Sequence, residues 1–416
     1  LVFGGLGNQL FQLALAKTLK EKWINSEVDL IDLTSHSPVK REWALEYMGI
    51  KAKKINNLNL TNRIVVAPMC QYSAIEGSAT DWHLMHLGQL SISGSALVFI
   101  EATAVEEKGR ITPGCLGLYS DDNQIALEKV IKFVKRYGNT KIGIQLAHAG
   151  RKASTAIPWL GGNPLSRDNS NSWETVAPSS EAYNSNWPSP IELDTQGLEN
   201  IKKCFVSSAK RAIEIGFDII ELHMAHGYLI HQFLSPISNT RTDKYGSTFE
   251  NRIRYPLEIF KAIRDEISSD YPIGVRFSAT DWVESSSWNI EEATKFALKL
   301  KELGCDFFDV SSGGNSPKQN IISGPAYQTG FASRIKSEVG IPTIAVGQIT
   351  EPLQAESIIS TGQADLIAIG RGMLYNPRWA WHAAEVFKKE AAYPPQYARS
   401  HHSLIGLPIP GNPQTK

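Results

Sequence analysis

The sequence predicts an α/β fold: a (β/α)8 TIM barrel with a long catalytic-face loop between its third strand and third helix, and an unrelated N-terminal appendage. Three observations predict it. Eight short β-branched or apolar runs follow residue 60, stretches with helical spacing of apolar residues separate them, and three of those stretches end in glycine. Eight such units fit a closed barrel better than an open doubly wound sheet, which usually has fewer strands.

The strands and helices follow from these periodicities. The predicted strands cover 64–69, 96–102, 141–146, 218–223, 273–277, 307–311, 343–346 and 365–369. Clear helices are predicted at 198–215, 250–267, 290–303 and 352–360. Gly216, Gly304 and Gly362 follow three of these helices, where a left-handed residue can close the last carbonyl groups before the chain turns into a strand.

The loop of about residues 150–195 is rich in Ser, Asn, Pro and Trp and follows the third strand. Loops of this length inside compact domains are usually functional, so we predict a catalytic-face loop that contains a small hairpin. Barrel chemistry gathers at the C-terminal ends of the strands. The polar or glycine residues at or just beyond the predicted strands are Cys70, Gln145, His223, Arg276, Ser311, Gly347 and Arg371.

Composition excludes several classes of protein. Lys plus Arg and Asp plus Glu both number 42, so no broad charge favours a nucleic acid or an anionic membrane, and a small-molecule substrate is favoured. No apolar run approaches the ~20 residues of a membrane span. Four scattered cysteines without C-x-x-C spacing exclude a disulfide scaffold and an iron–sulfur cluster. With no export signal, a cytoplasmic location is expected.

The strongest local motif runs from Glu221 to Tyr228 and contains His223 and His226. The two imidazoles have three interpretations. They could be zinc ligands, although a third ligand and the H-E-x-x-H signature are missing, or they could be a structural pair. They could also donate two N–H groups to a carbonyl oxygen, with the Tyr228 phenol as an acid for a carbanion-like carbon.

Two further clusters accompany this motif. Met69, Cys70 and Tyr72 place a thioether, a thiol and a phenol after the first strand, where core packing is the alternative interpretation. Gly347 follows the seventh strand, and Gly370 with Arg371 follows the eighth. Phosphate groups commonly bind at these two loops of a barrel, so a phosphorylated ligand is favoured over a salt-bridged barrel-end arginine.

Residues of about 55–399 resemble the Old Yellow Enzyme family of FMN-dependent ene-reductases, in particular the bacterial subgroup with a cysteine beside the flavin. The similar segments are 62–72, 101–105, 145–152, 223–228, 238–246 and 369–371. The resemblance implies a barrel that holds FMN non-covalently, NADPH or NADH as the hydride donor, and an α,β-unsaturated carbonyl compound as the substrate. It implies no metal.

Site residues are also implied by the resemblance. Hydride passes from flavin N5 to the alkene, His223 and His226 hold the carbonyl oxygen, and Tyr228 supplies the proton. Substrate contacts are expected from Tyr72 and, across a homodimer or homotetramer interface, from Arg399. The implied FMN contacts are Ala67, Pro68, Met69, Cys70, Ala102, Gln145, Arg276, Gly347, Gly370 and Arg371. Among these, Cys70 tunes the flavin and Arg276 lies near N1.

The N-terminus departs from this pattern. Residues 1–52 resemble the start of family 11 α-1,2-fucosyltransferases, through the run Gly4 to Gln12, but the arginine-rich nucleotide-sugar motif is missing. We expect three regions: a fragment at 1–53 without glycosyl-transfer function, an FMN-binding barrel at 54–399, and a tail at 400–416. Because the usual lead into the barrel is replaced, an imperfectly covered barrel floor is expected.

The sequence leaves three alternatives to a simple ene-reductase. One is a bifunctional or chimeric protein with a vestigial glycosyltransferase segment, and another is a flavin-binding protein without a reductase role. The third is a dienoyl-CoA or enoate reductase with an iron–sulfur domain, which the scattered cysteines disfavour. Gly5-x-Gly7 is only half of a dinucleotide fingerprint, so a turn and helix cap is preferred there.

Overall fold

A computed structural model describes residues 54–284, 287–389 and 391–400. The expected fucosyltransferase-like fragment at 1–53 and nearly all of the expected tail at 400–416 lie outside these residues. The described part contains a closed eight-stranded barrel with helices between its strands. The (β/α)8 prediction is therefore confirmed.

The barrel strands lie within three residues of their predicted bounds. They are β1 (Ile64–Val66), β2 (Leu97–Ala104), β3 (Lys141–Ala147), β4 (Ile219–Met224), β5 (Ile273–Ser278), β6 (Phe308–Ser311), β7 (Thr343–Val346) and β8 (Leu366–Ile369). All eight neighbouring pairs are parallel, and β8 returns to β1 by pairing Ile369 with Val66. Both faces of these strands are covered, which explains their nearly continuous apolar sequences.

Eight helices form the outer layer of the described barrel. They are α1 (Asp81–Ser91), α2 (Asp121–Tyr137), α3 (Thr195–Ile215), α4 (Phe249–Glu266), α5 (Ile290–Glu302), α6 (Thr329–Val339), α7 (Pro352–Ser360) and α8 (Trp379–Val386). Gly216, Gly304 and Gly362 have φ values of 97°, 88° and 76°, as their predicted positions at helix ends require. None of the helices in the described ranges has the length and apolar character needed to cross a bilayer.

The N-terminal end of the barrel is closed by a small hairpin in which Lys54–Ile55 pairs with Leu58–Asn59. Ile55 and Leu60 are fully buried in one apolar cluster with Phe99 and Phe307, whose rings stack 6.0 Å apart. The expectation of an imperfectly covered floor was wrong. The hairpin follows directly on the replaced segment and supplies the missing apolar side chains itself.

The long loop between β3 and α3 lies on the opposite end of the barrel, as predicted. An antiparallel bridge joins Thr155 to Pro164 and forms the small expected hairpin. A second short pair, Val176–Ala177 with Ile191–Glu192, is parallel. The Arg151 guanidinium ties the loop down, since it donates to the carbonyl oxygens of Glu181 at 3.1 Å and Asn315 at 2.8 Å.

Backbone strain is concentrated at this C-terminal end. Tyr72, His226, Trp282 and Gln348 have φ values between 50° and 59°, and they follow β1, β4, β5 and β7. Left-handed conformations of non-glycine residues are uncommon and cluster at functional sites. The loops that carry the predicted site are therefore the strained part of the barrel.

Candidate active site

The histidine pair lies at the C-terminal end of β4. His223 is the fifth residue of that strand and points into the barrel, and the chain then turns through His226 and Gly227, both with positive φ. This turn brings His226 Nδ1 to 3.2 Å from His223 Nε2, with the two rings at an interplanar angle of 83°. The predicted convergence of the two imidazoles is present.

Both imidazoles are neutral at ordinary pH. Burial lowers the pKa of His223 and of His226 well below the usual histidine value, and the nearby positive charge of Arg276 lowers each further. Neutral imidazoles suit N–H donation to a ligand oxygen. Across the described ranges, no group of three or more His, Cys, Asp or Glu side chains is arranged to hold a metal ion, so the zinc interpretation gains no third ligand.

Tyr228 lies beside this pair. Its ring meets the His223 ring edge-to-face with 4.9 Å between centroids. Burial raises the pKa of the phenol well above its ordinary value, so it stays protonated. The ammonium of Lys152 lies 5.2 Å from the centre of the Tyr228 ring and 4.9 Å from that of Tyr183.

Lys152 holds the histidine turn in place. Its Nζ donates to the backbone oxygen of His226 at 2.8 Å and to that of Gly314 at 2.9 Å, which joins the loops after β4 and β6. The two loops approach so closely that a Cβ on Gly314 would lie 2.5 Å from His226 Cα. Burial lowers the pKa of Lys152 to about 8.

The segment after β1 forms one wall of the barrel mouth. Ala67 is buried, whereas Pro68, Met69, Cys70 and Tyr72 are only partly buried, which leaves an open apolar surface. A buried carboxylate fixes this wall. Glu101 accepts a hydrogen bond from the Gln71 backbone N–H at 3.1 Å and pairs with His83 of α1 at 3.3 Å.

Two contacts define the ends of this wall. A hydrogen bond with Cys115, together with burial, raises the pKa of Cys70, so it is a neutral thiol. Tyr72 meets Trp159 of the long loop edge-to-face, with 5.7 Å between ring centroids. A neutral thiol and exposed aromatic edges suit contact with a planar ring system.

A buried polar layer adjoins His223, which is in register with Arg276. Arg276 on β5 is in register with Asp309 on β6, and Arg276 Nε lies 3.4 Å from Asp309 Oδ2. Gln145 on β3 donates to Glu221 Oε1 at 2.7 Å. Burial and the charge of Asp309 raise the pKa of Glu221 to about 8, which favours its protonated form.

These residues fit the isoalloxazine expected from the resemblance. Arg276 Nε and Asp309 Oδ2 face each other at 3.4 Å, but neither of them, nor Asp309 Oδ1, makes a hydrogen bond. Such groups are costly unless a ligand or water satisfies them. Ala102 and Gln145 are paired on the neighbouring strands β2 and β3, and Arg276 lies on β5, beyond β4. They offer a flat surface, an amide and a cation to a polar ring edge.

The residues predicted to hold a phosphate follow two neighbouring strands, β7 and β8. Gly370 lies beside the wall, because a Cβ added there would be 3.6 Å from Met69 Sδ and 3.9 Å from Ala67 Cβ. Gly347 has φ +119°, which a side chain would rarely adopt, and Arg371 is exposed at the start of the short helix Arg371–Tyr375. Two glycines and an arginine fit a phosphate group.

Arg399, the predicted contact across a subunit interface, lies at the end of the described residues. Its backbone belongs to the turn Pro395–Ser400, but its side chain lies outside the described residues. The segment reaches α8, where Tyr397 packs against Trp381 with 6.2 Å between ring centroids.

Sequence reasoning assigned no role to several residues of this site. They are Lys152, Glu221, Asp309, Ser311 and Gln328. A signal existed for three of them, because Glu221 and Asp309 are carboxylates inside otherwise apolar strands and Ser311 is a polar residue at a predicted strand end. Lys152 and Gln328 lie in loops that only the folded chain brings to the mouth.

Comparison with known proteins agrees with the geometry. Residues 51–390 match the model of the NADH:flavin oxidoreductase / NADH oxidase family of FMN oxidoreductases. An NADH:flavin oxidoreductase of Gibberella zeae is 46% identical over 339 residues, which cover 78% of this chain and 82% of the relative. An NADPH dehydrogenase of Geobacillus thermodenitrificans is 40% identical over 344 residues, covering 82% and 95%. One from Listeria innocua is 42% identical over 349 residues, covering 83% and 97%.

Solved structures share the fold. Morphinone reductase superposes with a TM-score of 0.67 at 24% identity, covering 82% of this chain and 90% of that one. A 2-naphthoyl-CoA reductase in complex with 2-naphthoyl-CoA gives 0.73 at 24% identity, but the match covers 81% of this chain and only 52% of that longer one. The family model covers most of the chain and the curated relatives exceed 30% identity. The chain is therefore an oxidoreductase that belongs to the FMN-dependent NADH:flavin oxidoreductase family, the Old Yellow Enzyme family, whose members use NADPH or NADH.

Proposed function

We propose that this protein reduces the C=C bond of α,β-unsaturated carbonyl compounds, with NADPH or NADH as the reductant. The observation that carries the proposal is the 3.2 Å approach of His223 Nε2 and His226 Nδ1 at the barrel mouth. Two ring nitrogens this close can donate to one oxygen atom. Negative charge grows on a carbonyl oxygen when hydride adds to the conjugated carbon, so paired donors favour this reaction.

FMN supplies the hydride when it is bound. In the proposal its ring lies against the wall of Ala67, Pro68, Met69 and Cys70, Ala102 and Gln145 flank it, and Arg276 balances negative charge at its pyrimidine edge. Gly347, Gly370 and Arg371 hold its phosphate. The partly open wall and the unsatisfied Arg276 Nε support these assignments.

Tyr228 is proposed to protonate the α-carbon. Its ring packs on His223, so the phenol lies next to the position of a carbonyl held by the pair. A phenol with a raised pKa is a weak acid, yet an enolate carbon is a much stronger base, and the proton transfer is downhill. Tyr72 offers a further contact to the substrate from the opposite wall, with Trp159 behind it.

The proposed cellular location and oligomeric state follow from the cysteines and from Arg399. We propose a cytoplasmic enzyme because all cysteines in the described residues, Cys70, Cys115, Cys204 and Cys305, are free thiols. We also propose a homodimer or homotetramer in which Arg399 reaches the neighbouring subunit's site. Cross-linking through an Arg399→Cys variant would test that contact.

The function is tested with the purified chain reconstituted with FMN. Anaerobic NADPH should bleach the flavin absorbance, and 2-cyclohexen-1-one should restore it while cyclohexanone forms. In D₂O the product should carry deuterium at the α-carbon. Tyr228→Phe should slow flavin reoxidation by the enone by about 10² or more, because a general acid contributes that much.

The matched control is Tyr375→Phe, since that phenol is 95% exposed and far from the polar layer in sequence. It should behave as the unchanged protein does. A preparation that stays colourless with FMN, or a reduced enzyme that the enone cannot reoxidise, would reject the proposed function.

A further inference from the structure

Ser311 lies at the C-terminal end of β6 and contacts His226 through the ring nitrogen that does not face His223. Its Oγ is 2.7 Å from His226 Nε2, and the side chain is 3% exposed. The same hydroxyl lies 3.4 Å from Gln328 Oε1. Gln328 is itself fixed, because its Nε2 donates to the Val346 carbonyl oxygen at 3.0 Å. The amide oxygen therefore stays an acceptor.

The hydrogen bonds define the tautomers of the resting pair. The Ala225 backbone N–H donates to His223 Nδ1 at 3.2 Å, so a neutral His223 carries its proton on Nε2. That N–H donates to His226 Nδ1 at 3.2 Å, which leaves the His226 proton on Nε2. His226 then donates to Ser311, and Ser311 donates to Gln328.

This resting arrangement cannot hold a carbonyl oxygen with two donors. His226 Nδ1 is an acceptor in it, and a carbonyl oxygen is an acceptor as well. A second N–H appears only when the His226 proton is on Nδ1. Its Nε2 must then accept a hydrogen bond, and Ser311 Oγ is the hydroxyl within reach at 2.7 Å.

We propose that Ser311 is a positioning residue that lets His226 change tautomer when a carbonyl oxygen enters, by accepting from Nε2 at rest and donating to Nε2 in the complex. The proposal rests on the proposed function. The proton leaves Nε2 to water and another from water adds at Nδ1, so no net proton is taken up. A serine hydroxyl suits this exchange because it is both a donor and an acceptor.

The chain offers a closely matched control. Ser312 is the next residue, is 6% exposed, and donates to the same Gln328 Oε1 at 2.5 Å, but no hydrogen bond links it to His226. Ser311→Ala and Ser312→Ala thus remove the same atom from adjacent buried positions. Only Ser311→Ala should change the tautomer that His226 adopts.

The direct test is ¹⁵N NMR of the oxidised holoenzyme labelled at histidine, with the His226 signals assigned by their loss in His226→Asn. At rest we expect the Nε2–H tautomer of His226. Saturating 2-cyclohexen-1-one, which cannot be reduced without NADPH, should convert it to Nδ1–H. In Ser311→Ala this conversion should be incomplete, whereas Ser312→Ala should follow the unchanged enzyme.

Kinetics supply the second test. Ser311→Ala should lower kcat/KM for the enone by about 3- to 10-fold, the loss expected from one neutral hydrogen bond. Ser312→Ala should stay within about twofold. In a His226→Ala background Ser311→Ala should add no further loss, because residues that act through one partner are not additive. FMN content measures folding of every variant.

The possible results separate the two proposals. If the enzyme reduces the enone but His226 keeps one tautomer throughout, or Ser311→Ala matches Ser312→Ala, the tautomer exchange is wrong and the proposed function stands. If the unchanged enzyme neither binds nor reduces the enone, the proposed function is wrong and the role of Ser311 is lost with it.

Discussion

The two ends of the barrel differ in the chemistry of their buried side chains. At the N-terminal floor, Ile55, Leu60 and Phe307 are fully buried in an apolar cluster that the Lys54–Ile55 hairpin covers. At the C-terminal mouth, the equally buried Glu221 and Asp309 are carboxyl groups. The floor gains stability by removing apolar surface from water, whereas the mouth places ionisable groups where burial is unfavourable.

The difference shows where stability and function are separated in this chain. At the mouth, Arg276 and Asp309 have buried polar atoms without a hydrogen-bond partner, and Tyr72 and His226 have positive φ values. At the floor, Asn56 in the hairpin turn also has a positive φ, of 50°. Such features persist only when the rest of the fold holds them in place. We therefore expect floor substitutions to change the free energy of unfolding alone, and mouth substitutions to change catalysis or the pH dependence of stability as well.

The largest effect is expected at the floor. Phe307→Ala removes a fully buried ring that stacks on Phe99, and it should lower the free energy of unfolding by about 3–5 kcal/mol. Chemical denaturation of the holoenzyme at a fixed FMN concentration measures it. Phe307 lies four residues before Ser311, about 13 Å along the strand. At a low temperature at which Phe307→Ala stays folded, its KM for the enone should therefore equal that of the unchanged enzyme.

Phe307→Leu is the control for this prediction. It keeps most of the apolar volume and should lose less than half as much stability. A folded Phe307→Ala protein with unchanged stability and impaired enone binding would contradict the separation of floor from mouth.

At the mouth, His223→Ala should reduce enone turnover by about 10² to 10³ while FMN stays bound, because it removes a donor to the developing oxyanion. Stopped-flow reoxidation of the reduced flavin by 2-cyclohexen-1-one measures this step. His382→Ala removes an exposed histidine of α8 and serves as the control. Normal turnover of His223→Ala would remove the carbonyl-holding role.

The fold was predictable because its signals are local. Apolar runs and the glycines at 216, 304 and 362 placed the strands and helix ends within a few residues. The floor was predicted wrongly, because the covering hairpin is only six residues long, from Lys54 to Asn59, and lacks a periodic pattern. Short elements gain their stability from tertiary packing, which the sequence does not display.

The residue types of the site were predictable, but the hydrogen bonds between residues distant in sequence were not. His223, His226 and Tyr228 lie within six residues of one another, so their proximity follows from a single turn. Lys152 reaches His226 across 74 positions, and Ser311 reaches it across 85. Contacts between distant strand ends depend on barrel closure and register, which periodicity alone does not define.

A smaller loss of stability is expected when Lys152, which joins the loops after β4 and β6, is replaced. Lys152→Met leaves the His226 and Gly314 carbonyl oxygens without their shared donor, and it should cost about 1–3 kcal/mol of stability. It should also raise the KM for enone, since the histidine turn loses its anchor. Thermal unfolding and steady-state kinetics measure the two effects. Lys152→Arg, which keeps the donors and the charge, should recover part of both, and equal loss in both variants would contradict the clamp.

The last prediction tests whether the mouth reduces stability through its buried carboxyl groups. Burial and Asp309 raise the Glu221 pKa from 4.5 to about 8 in the folded protein. Between these values the folded chain keeps a proton that the unfolded chain loses. The contribution of this group to stability is therefore greatest below pH 4.5 and falls as pH rises toward 8, with a slope of about 1.4 kcal/mol per pH unit.

In the unchanged protein Gln145 Nε2 donates to Glu221 Oε1 at 2.7 Å. Glu221→Gln removes the titrating group but keeps the side-chain shape and an acceptor oxygen for this hydrogen bond. From pH 6 to pH 7 the free energy of unfolding of the variant should rise by about 1.4 kcal/mol relative to that of the unchanged holoenzyme. The reason is that only the unchanged enzyme loses stability through the Glu221 titration. Urea unfolding at both pH values, with FMN held constant, gives the difference. Glu250→Gln, at an exposed position in the first turn of α4, should show no such gain. A difference between variant and unchanged enzyme that is the same at both pH values would mean that Glu221 is ionised in the folded state, and the polar layer would then hold two negative charges beside a single Arg276.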